Sequence, residues 1–256
     1  MKKTFLYSLL MIGVIFLSCN DDKDEKTIYP LTFVKDSYEV RLGLSALITI
    51  RSGNQHYTIT VEDEDILKAS PLIAEGSSSS GEVQIYGKKK GETTILVTDN
   101  LSGDKVKLKI KVTDTYIGNK LSNSDHPLFI GSYCLYLIKN ENKNFYIYSI
   151  NQTQDKLSLV TEGNYTFSLE NNTPFLTFNY KDITNKDVTT KFDLVETPSS
   201  TLTFLNSFYA LGWYSEQKSL KMTSPPVYTL ILKDENNKKS NFSLAPSLEM
   251  PEGILD

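Results

Sequence analysis

From Lys105 to Val112 the chain reads Lys-Val-Lys-Leu-Lys-Ile-Lys-Val, charged and apolar residues in strict alternation. A strand sends successive side chains to opposite faces, so Val106, Leu108, Ile110 and Val112 share one face and four lysines the other. A helix would scatter both kinds around its circumference. The lysine face must meet water, and its charge discourages pairing with another sheet edge. The same period of two recurs in Tyr38, Val40 and Leu42, in Ala46, Ile48 and Ile50, and in Tyr57, Ile59 and Val61. Ser52-Gly53-Asn54, the stretch 76–81 and Ser102-Gly103-Asp104 supply turns between these runs. Short strands at this spacing over residues 29–113 predict a β-sandwich.

Residues 114–127 are polar and contain Gly118, Asn119, Ser122, Asn123 and Ser124, so they read as a connector. Composition then changes: the one tryptophan and most of the 15 tyrosines and 12 phenylalanines lie beyond residue 121. Apolar-aromatic runs fall at 129–138, 145–150, 157–160, 165–169, 175–180, 188–195, 201–208, 227–232 and 242–244. Loops rich in Asn and Lys, such as Asn140–Asn144 and Asp234–Lys238, separate them. This rhythm predicts an antiparallel meander over 128–256 that closes as a small barrel or packs as a sandwich. The segment 206–218 is the least strand-like and reads as a loop or short helix. The fold class is therefore all-β, in two modules. The second is loosely similar in rhythm to lipocalin-like domains.

The N-terminus carries a different pattern. Lys2 and Lys3 precede an apolar segment from Phe5 to Leu17, too short for a permanent span, which marks residues 1–18 as a secretory signal peptide. Ser18-Cys19 at its end resembles the lipobox of bacterial lipoproteins. That resemblance implies a diacylglycerol on the Cys19 sulfur and a membrane partner through this lipid anchor. Thiolate nucleophilicity explains why cysteine is needed there, and two or more acyl chains anchor stably where one does not. Residues 19–28 form an acidic tether in which Asp21, Asp22, Asp24 and Glu25 resemble the export signal of Bacteroidetes-type surface lipoproteins. This implies placement at the outer membrane, facing outward. Low hydrophobicity and repeated charge also suit a solvated tether.

Within 29–113, Ser52-Gly53-Asn54 leads into Tyr57-Thr58-Ile59-Thr60, followed by Asp65-Ile66-Leu67-Lys68-Ala69 and then Ile85-Tyr86-Gly87-Lys88-Lys89-Lys90-Gly91-Glu92-Thr93-Thr94-Ile95. With Val97-Thr98-Asp99 and the alternating strand, the series resembles a bacterial Ig-like domain of the BIG2 type. Such domains serve as spacers or adhesive modules, and the resemblance implies no catalytic residue. Gly87 and Gly91 are expected to let the chain turn tightly before the strand carrying Ile95.

Chemistry is sparse. His56 and His126 are the two histidines, about 70 positions apart, and both read as solvent-facing loop residues. No HExxH, CxxC, GxSxG or phosphate-cradling glycine loop occurs, so no catalytic constellation, metal site or cofactor is expected. Cys134 has no partner if Cys19 is acylated, and its apolar neighbours make it a buried, inert thiol. Glu62-Asp63-Glu64-Asp65 lacks calcium-loop spacing and reads as a solvated turn. A net charge of -4 leaves no basic footprint for nucleic acid. One cluster suits a ligand platform: Tyr209, Trp213 and Tyr214 beside Gly212, flat rings able to cover a sugar face or an apolar ligand. The same rings also suit a core cap. The expectation is a non-enzymatic surface lipoprotein whose Ig-like stalk presents a β domain to a ligand or protein partner. A glycan-binding accessory of an uptake system and a pilus-type structural subunit are the alternatives.

Overall fold

The computed structural model describes residues 27–73, 80–151, 153, 156–213, 228–245, 248–251 and 253–255. The signal segment, Cys19, the acidic residues 21–25 and Tyr214 lie outside them. The described chain is all-β, with 58% strand and 5% helix, and consists of a two-sheet sandwich followed by a barrel.

In the sandwich, strands β1 (Thr32–Phe33), β3 (Ser45–Ser52), β6 (Glu82–Gly87) and β5 (Leu67–Leu72) form one sheet in that order. The second sheet runs β2 (Ser37–Arg41), β8 (Lys105–Thr113), β7 (Gly91–Asp99) and β4 (Tyr57–Val61), with β2 parallel to β8 and all other pairs antiparallel. The alternating segment is β8 itself: Leu108, Ile110 and Val112 are buried against Ile48, Ile50, Val83 and Ile85 of the facing sheet. Gly87 serves close approach rather than a turn. A Cβ there would lie 2.8 Å from Val112 Cγ1 and 3.0 Å from the Arg41 carbonyl oxygen. Gly91 does take a positive φ of 144°.

The second module is a closed eight-stranded barrel: β9 (Thr115–Ser124), β10 (Cys134–Lys139), β11 (Asn144–Asn151), β12 (Lys156–Glu170), β13 (Thr173–Lys181), β14 (Asp187–Asp193), β15 (Thr229–Lys233) and β16 (Lys239–Leu244). Each strand pairs antiparallel with the next, and β16 closes on β9. The expected connector is therefore corrected, because Thr115–Ser124 is a barrel strand. Its polar residues hide the pattern: Asn119 is buried, its amide donating to the carbonyls of Ile117 and Leu135. Gly118 backs onto Leu248, where a Cβ would meet that carbonyl at 3.1 Å.

Leu135, Leu137, Phe145, Ile147, Leu176, Phe178, Phe192, Leu230, Leu232 and Phe242 fill the barrel and are fully buried. Charged side chains such as Lys181, Asp187 and Lys191 stand on its outside. That is the reverse of a membrane-spanning barrel, which is polar within and apolar without. Phe129, from the β9–β10 connection, plugs the interior with edge contacts to Phe242 (5.1 Å between centroids) and Phe178 (6.1 Å). The 15-residue β12 passes through Gly163, where a Cβ would lie 2.1 Å from the Asn179 carbonyl oxygen. Only glycine lets the two strands meet there.

Two hairpins share one turn design. In Asp182-Ile183-Thr184-Asn185-Lys186 and Asp234-Glu235-Asn236-Asn237-Lys238, the Asp carboxylate accepts the amides two and four residues on. The Asn before the Lys takes the left-handed conformation, with φ of 62° and 61°.

The run 201–208, expected as a strand, is instead the helix α1 (Ser199–Tyr209), preceded by Pro198 and closed by Ala210 at φ 54°. Its apolar residues Leu202, Leu205, Phe208 and Tyr209 recur at intervals of three and four, which threonines at 201 and 203 obscure. The barrel seam explains its position. β14 and β15 pair only through Asp193 and Lys233. Along the rest of β15, Thr197 Oγ1 accepts from the Ile231 amide and donates to the Ile231 carbonyl, both at 2.9 Å. Thr201 Oγ1 accepts from the Thr229 amide at 3.1 Å. Side chains thus replace a missing ladder.

Candidate functional site

Of the expected platform, Tyr209 ends α1, Trp213 follows it, and Tyr214 lies outside the described residues. Tyr209 packs on Tyr165 (5.8 Å) and Phe167 (5.2 Å), and its Oη donates to the Leu137 carbonyl at 3.0 Å. Burial, reinforced by Tyr165, holds its hydroxyl well above the ordinary phenol range. Tyr209, itself half-buried, thus turns its hydroxyl and one ring edge toward the barrel end, as a core cap does. Trp213 is half-buried, its ring edge-on to Phe167 at 5.7 Å and its amide donating to Asn206 Oδ1 at 2.8 Å.

A second aromatic group forms where Tyr228 meets α1. Phe204 stacks on Tyr228 (4.8 Å, 22°) and on Phe208 (5.9 Å, 30°), and Lys139 Nζ stands 5.3 Å from the Phe208 ring centre. All three rings are half-buried. The spacing of four between Phe204 and Phe208 is the signal that marks them as one helix face.

His126 is also corrected: it is buried, not solvent-facing. Its ring packs against Phe192 (4.8 Å) and Phe129 (5.9 Å), and its Nδ1 accepts the Leu128 amide at 3.2 Å. With Nδ1 accepting, the proton of the neutral ring sits on Nε2, 3.5 Å from Asp234 Oδ2. Burial keeps its pKa below 6.5, outweighing the attraction of Asp234 and Asp125. The pair borders a cleft of about 440 Å³ that also takes in Thr189, Thr190, Lys191 and Lys233. Lys233 lies 3.6 Å from both Asp193 and Glu196, and Lys191 lies 2.7 Å from Glu170. These charges are mutually paired, and both histidine nitrogens are engaged, so the arrangement pins the β9–β10 connection to the β15–β16 turn.

His56 is exposed. Cys134 is buried, and burial pushes its thiol up to about 11, which makes it a poor nucleophile. The acidic run forms a turn in which Asp63 Oδ1 accepts the Asp65 amide at 2.9 Å and Lys88 reaches the Glu64 carbonyl. Among the described residues no group of three or more His, Cys, Asp or Glu is placed to hold a metal ion. Buried Asp99 accepts from the Asn54 amide and side chain, both at 2.8 Å, and from Leu101 at 3.0 Å. Burial alone would raise its pKa, but these donors lower it, fixing the carboxylate as a structural anchor for two turns.

No protein-family model matches the chain, and no curated protein does. Among solved structures it is similar to domains 5-6 of the S-layer protein SbsC, at 12% identity over 85% of this chain and 97% of that one, with a TM-score of 0.28. It is also similar to domains 4 and 5 of SbsC, at 20% identity over 34% of this chain, with a TM-score of 0.26, and spans 46% of that structure's length. The D00-D0 domain of intimin matches at 11% identity over 63% of this chain and 96% of that one, with a TM-score of 0.25. Function must therefore be argued from the chain itself.

Proposed function

We propose that this is a non-enzymatic lipoprotein held at the outer face of an outer membrane through Cys19. The sandwich acts as a spacer, and the barrel meets a ligand or protein partner with its exterior. One observation carries the reading: the barrel interior is solid. Phe129, Phe145, Phe178, Phe192 and Phe242 are fully buried within it, so it offers no chamber of the kind that ligand-carrying barrels enclose. On this reading, binding uses the outer wall, the loops or α1. The Ser18-Cys19 pattern and the acidic residues 21–25 support the anchored address.

A glycan partner is the second reading, favoured by the half-buried rings of Phe204, Phe208, Trp213 and Tyr228 around α1. Protease treatment of intact cells tests the address: loss of the barrel epitope is expected, and full protection refutes outward placement. A glycan array probed with the chain starting at Asn20 tests the second reading. Signal lost in both Trp213→Ala and Phe204→Ala supports it, and signal indifferent to both sinks it.

A further inference from the structure

Only Asp114 separates the last sandwich strand β8 from the first barrel strand β9. Two modules joined in tandem ordinarily move relative to one another unless a substantial interface holds them. Here residues 248–251 and 253–255 lie across both. Leaving β16, the chain sets Leu248 against Gly118 and lays Met250 and Leu255 onto the outside of the barrel with Tyr116, Cys134, Tyr136, Ile138 and Tyr148. Met250 and Leu255 are 7% and 6% exposed, so they are buried like core residues although they stand on the outer wall.

Two tyrosines fix the path. Tyr136 Oη donates to the Glu249 carbonyl at 2.7 Å, and Tyr116 Oη accepts the Met250 amide at 2.9 Å. Their rings meet edge to face at 5.5 Å. The segment then reaches the sandwich, where the Gly253 amide donates to Glu39 Oε1 at 3.2 Å. A cavity of about 270 Å³ lies beneath it, bordered by Val40, Leu44 and Leu47 of the sandwich and by Tyr116, Met250 and Leu255. At the same junction Arg41 stands over the Tyr116 ring at 4.6 Å, and Lys90 pairs with Asp114 at 2.8 Å.

We propose that residues 248–251 and 253–255 form a splint that locks the sandwich to the barrel, so that the two modules move as one rigid rod. The apolar contacts of Met250 and Leu255 hold it to the barrel, and Glu39 with the rim of the cavity holds it to the sandwich. The inference extends the spacer reading, and because its test reads geometry alone, its failure leaves the question of anchorage untouched.

Spin labels on Lys68→Cys in β5 and Lys186→Cys in the β13–β14 turn, both exposed sites, report the distance between modules in a Cys19→Ser chain. Cys134 is replaced by alanine in every variant, because it packs in one cluster with Met250 and Leu255 and would open to label once they are removed. The intact chain is expected to give one narrow distribution. Deleting residues 248–256 should roughly double its width, as free domain motion requires. If the deleted chain does not fold, Met250→Ala with Leu255→Ala decides by the same broadening. A broad distribution in the intact chain overturns the proposal, as does an unchanged width in whichever folded variant is measured.

Discussion

Replacing Phe129 with alanine should cost the barrel about 4 kcal/mol, although the residue belongs to a connection between strands. The ring is fully buried and touches Phe178, Phe192, Phe242 and His126. A phenylalanine of this kind removes roughly 150–250 Å² from water, which at about 25 cal/mol per Å² amounts to roughly 4–6 kcal/mol. That figure is an upper bound, because an unfolded chain already hides part of its apolar surface. Truncations of core phenylalanines to alanine cost about 3–5 kcal/mol, including the cavity left behind. The assay is urea unfolding followed by near-ultraviolet circular dichroism, with the slope unchanged and the midpoint lowered. The truncated barrel should also gain uptake of a small apolar probe such as benzene, since a dry cavity lined by phenylalanines accepts one. A loss below about 0.5 kcal/mol, the scale of an ordinary surface change, would refute the plug. So would benzene uptake by the unaltered chain.

Three other outcomes follow from the geometry. The folded-state pKa of His126 lies below its unfolded value of 6.5, so the stability it protects is present above that pH and is lost as pH falls through the folded pKa. The urea midpoint should drop between pH 7.5 and 5 and flatten in His126→Gln; an equal drop in the variant would assign the effect elsewhere. Gly163→Ala should destabilise the barrel by about 2 kcal/mol or more, because the added methyl overlaps the Asn179 carbonyl at 2.1 Å and the backbone must shift; an unchanged melting temperature would contradict that contact. With its thiol raised to about 11 by burial, Cys134 should resist a disulfide reagent at pH 8 until urea unfolds the chain. Fast labelling of the native protein would show that the outer wall of β10 is open.

Much of the fold is legible in the sequence because buried and exposed residues alternate wherever one face of a strand meets water. β8 is the plainest case, and the paired turns beginning at Asp182 and Asp234 show themselves through Asp and Asn. The pattern fails where another segment covers the outer face. In β10, residues Cys134 to Ile138 are buried on both sides, one face by the barrel core and the other by residues near the C-terminal end. β9 disguises itself as a linker for the same reason, since its buried Asn119 and Gly118 answer to distant partners rather than to local periodicity. α1 is masked by threonines whose hydroxyls serve the edge of β15, a role that no local rule announces. The site was less legible than the fold. Tyr209 and Phe204 are both half-buried aromatic residues of one helix, and only their distant partners, Tyr165 and Phe167 for the first and Tyr228 for the second, tell them apart.

Metabolic labelling with an alkyne fatty acid tests the anchored reading most directly. The wild-type chain should carry label and partition with membranes, whereas Cys19→Ser should carry none and leave the membrane fraction. An unlabelled wild-type chain, or a serine variant that fractionates identically, would contradict the account.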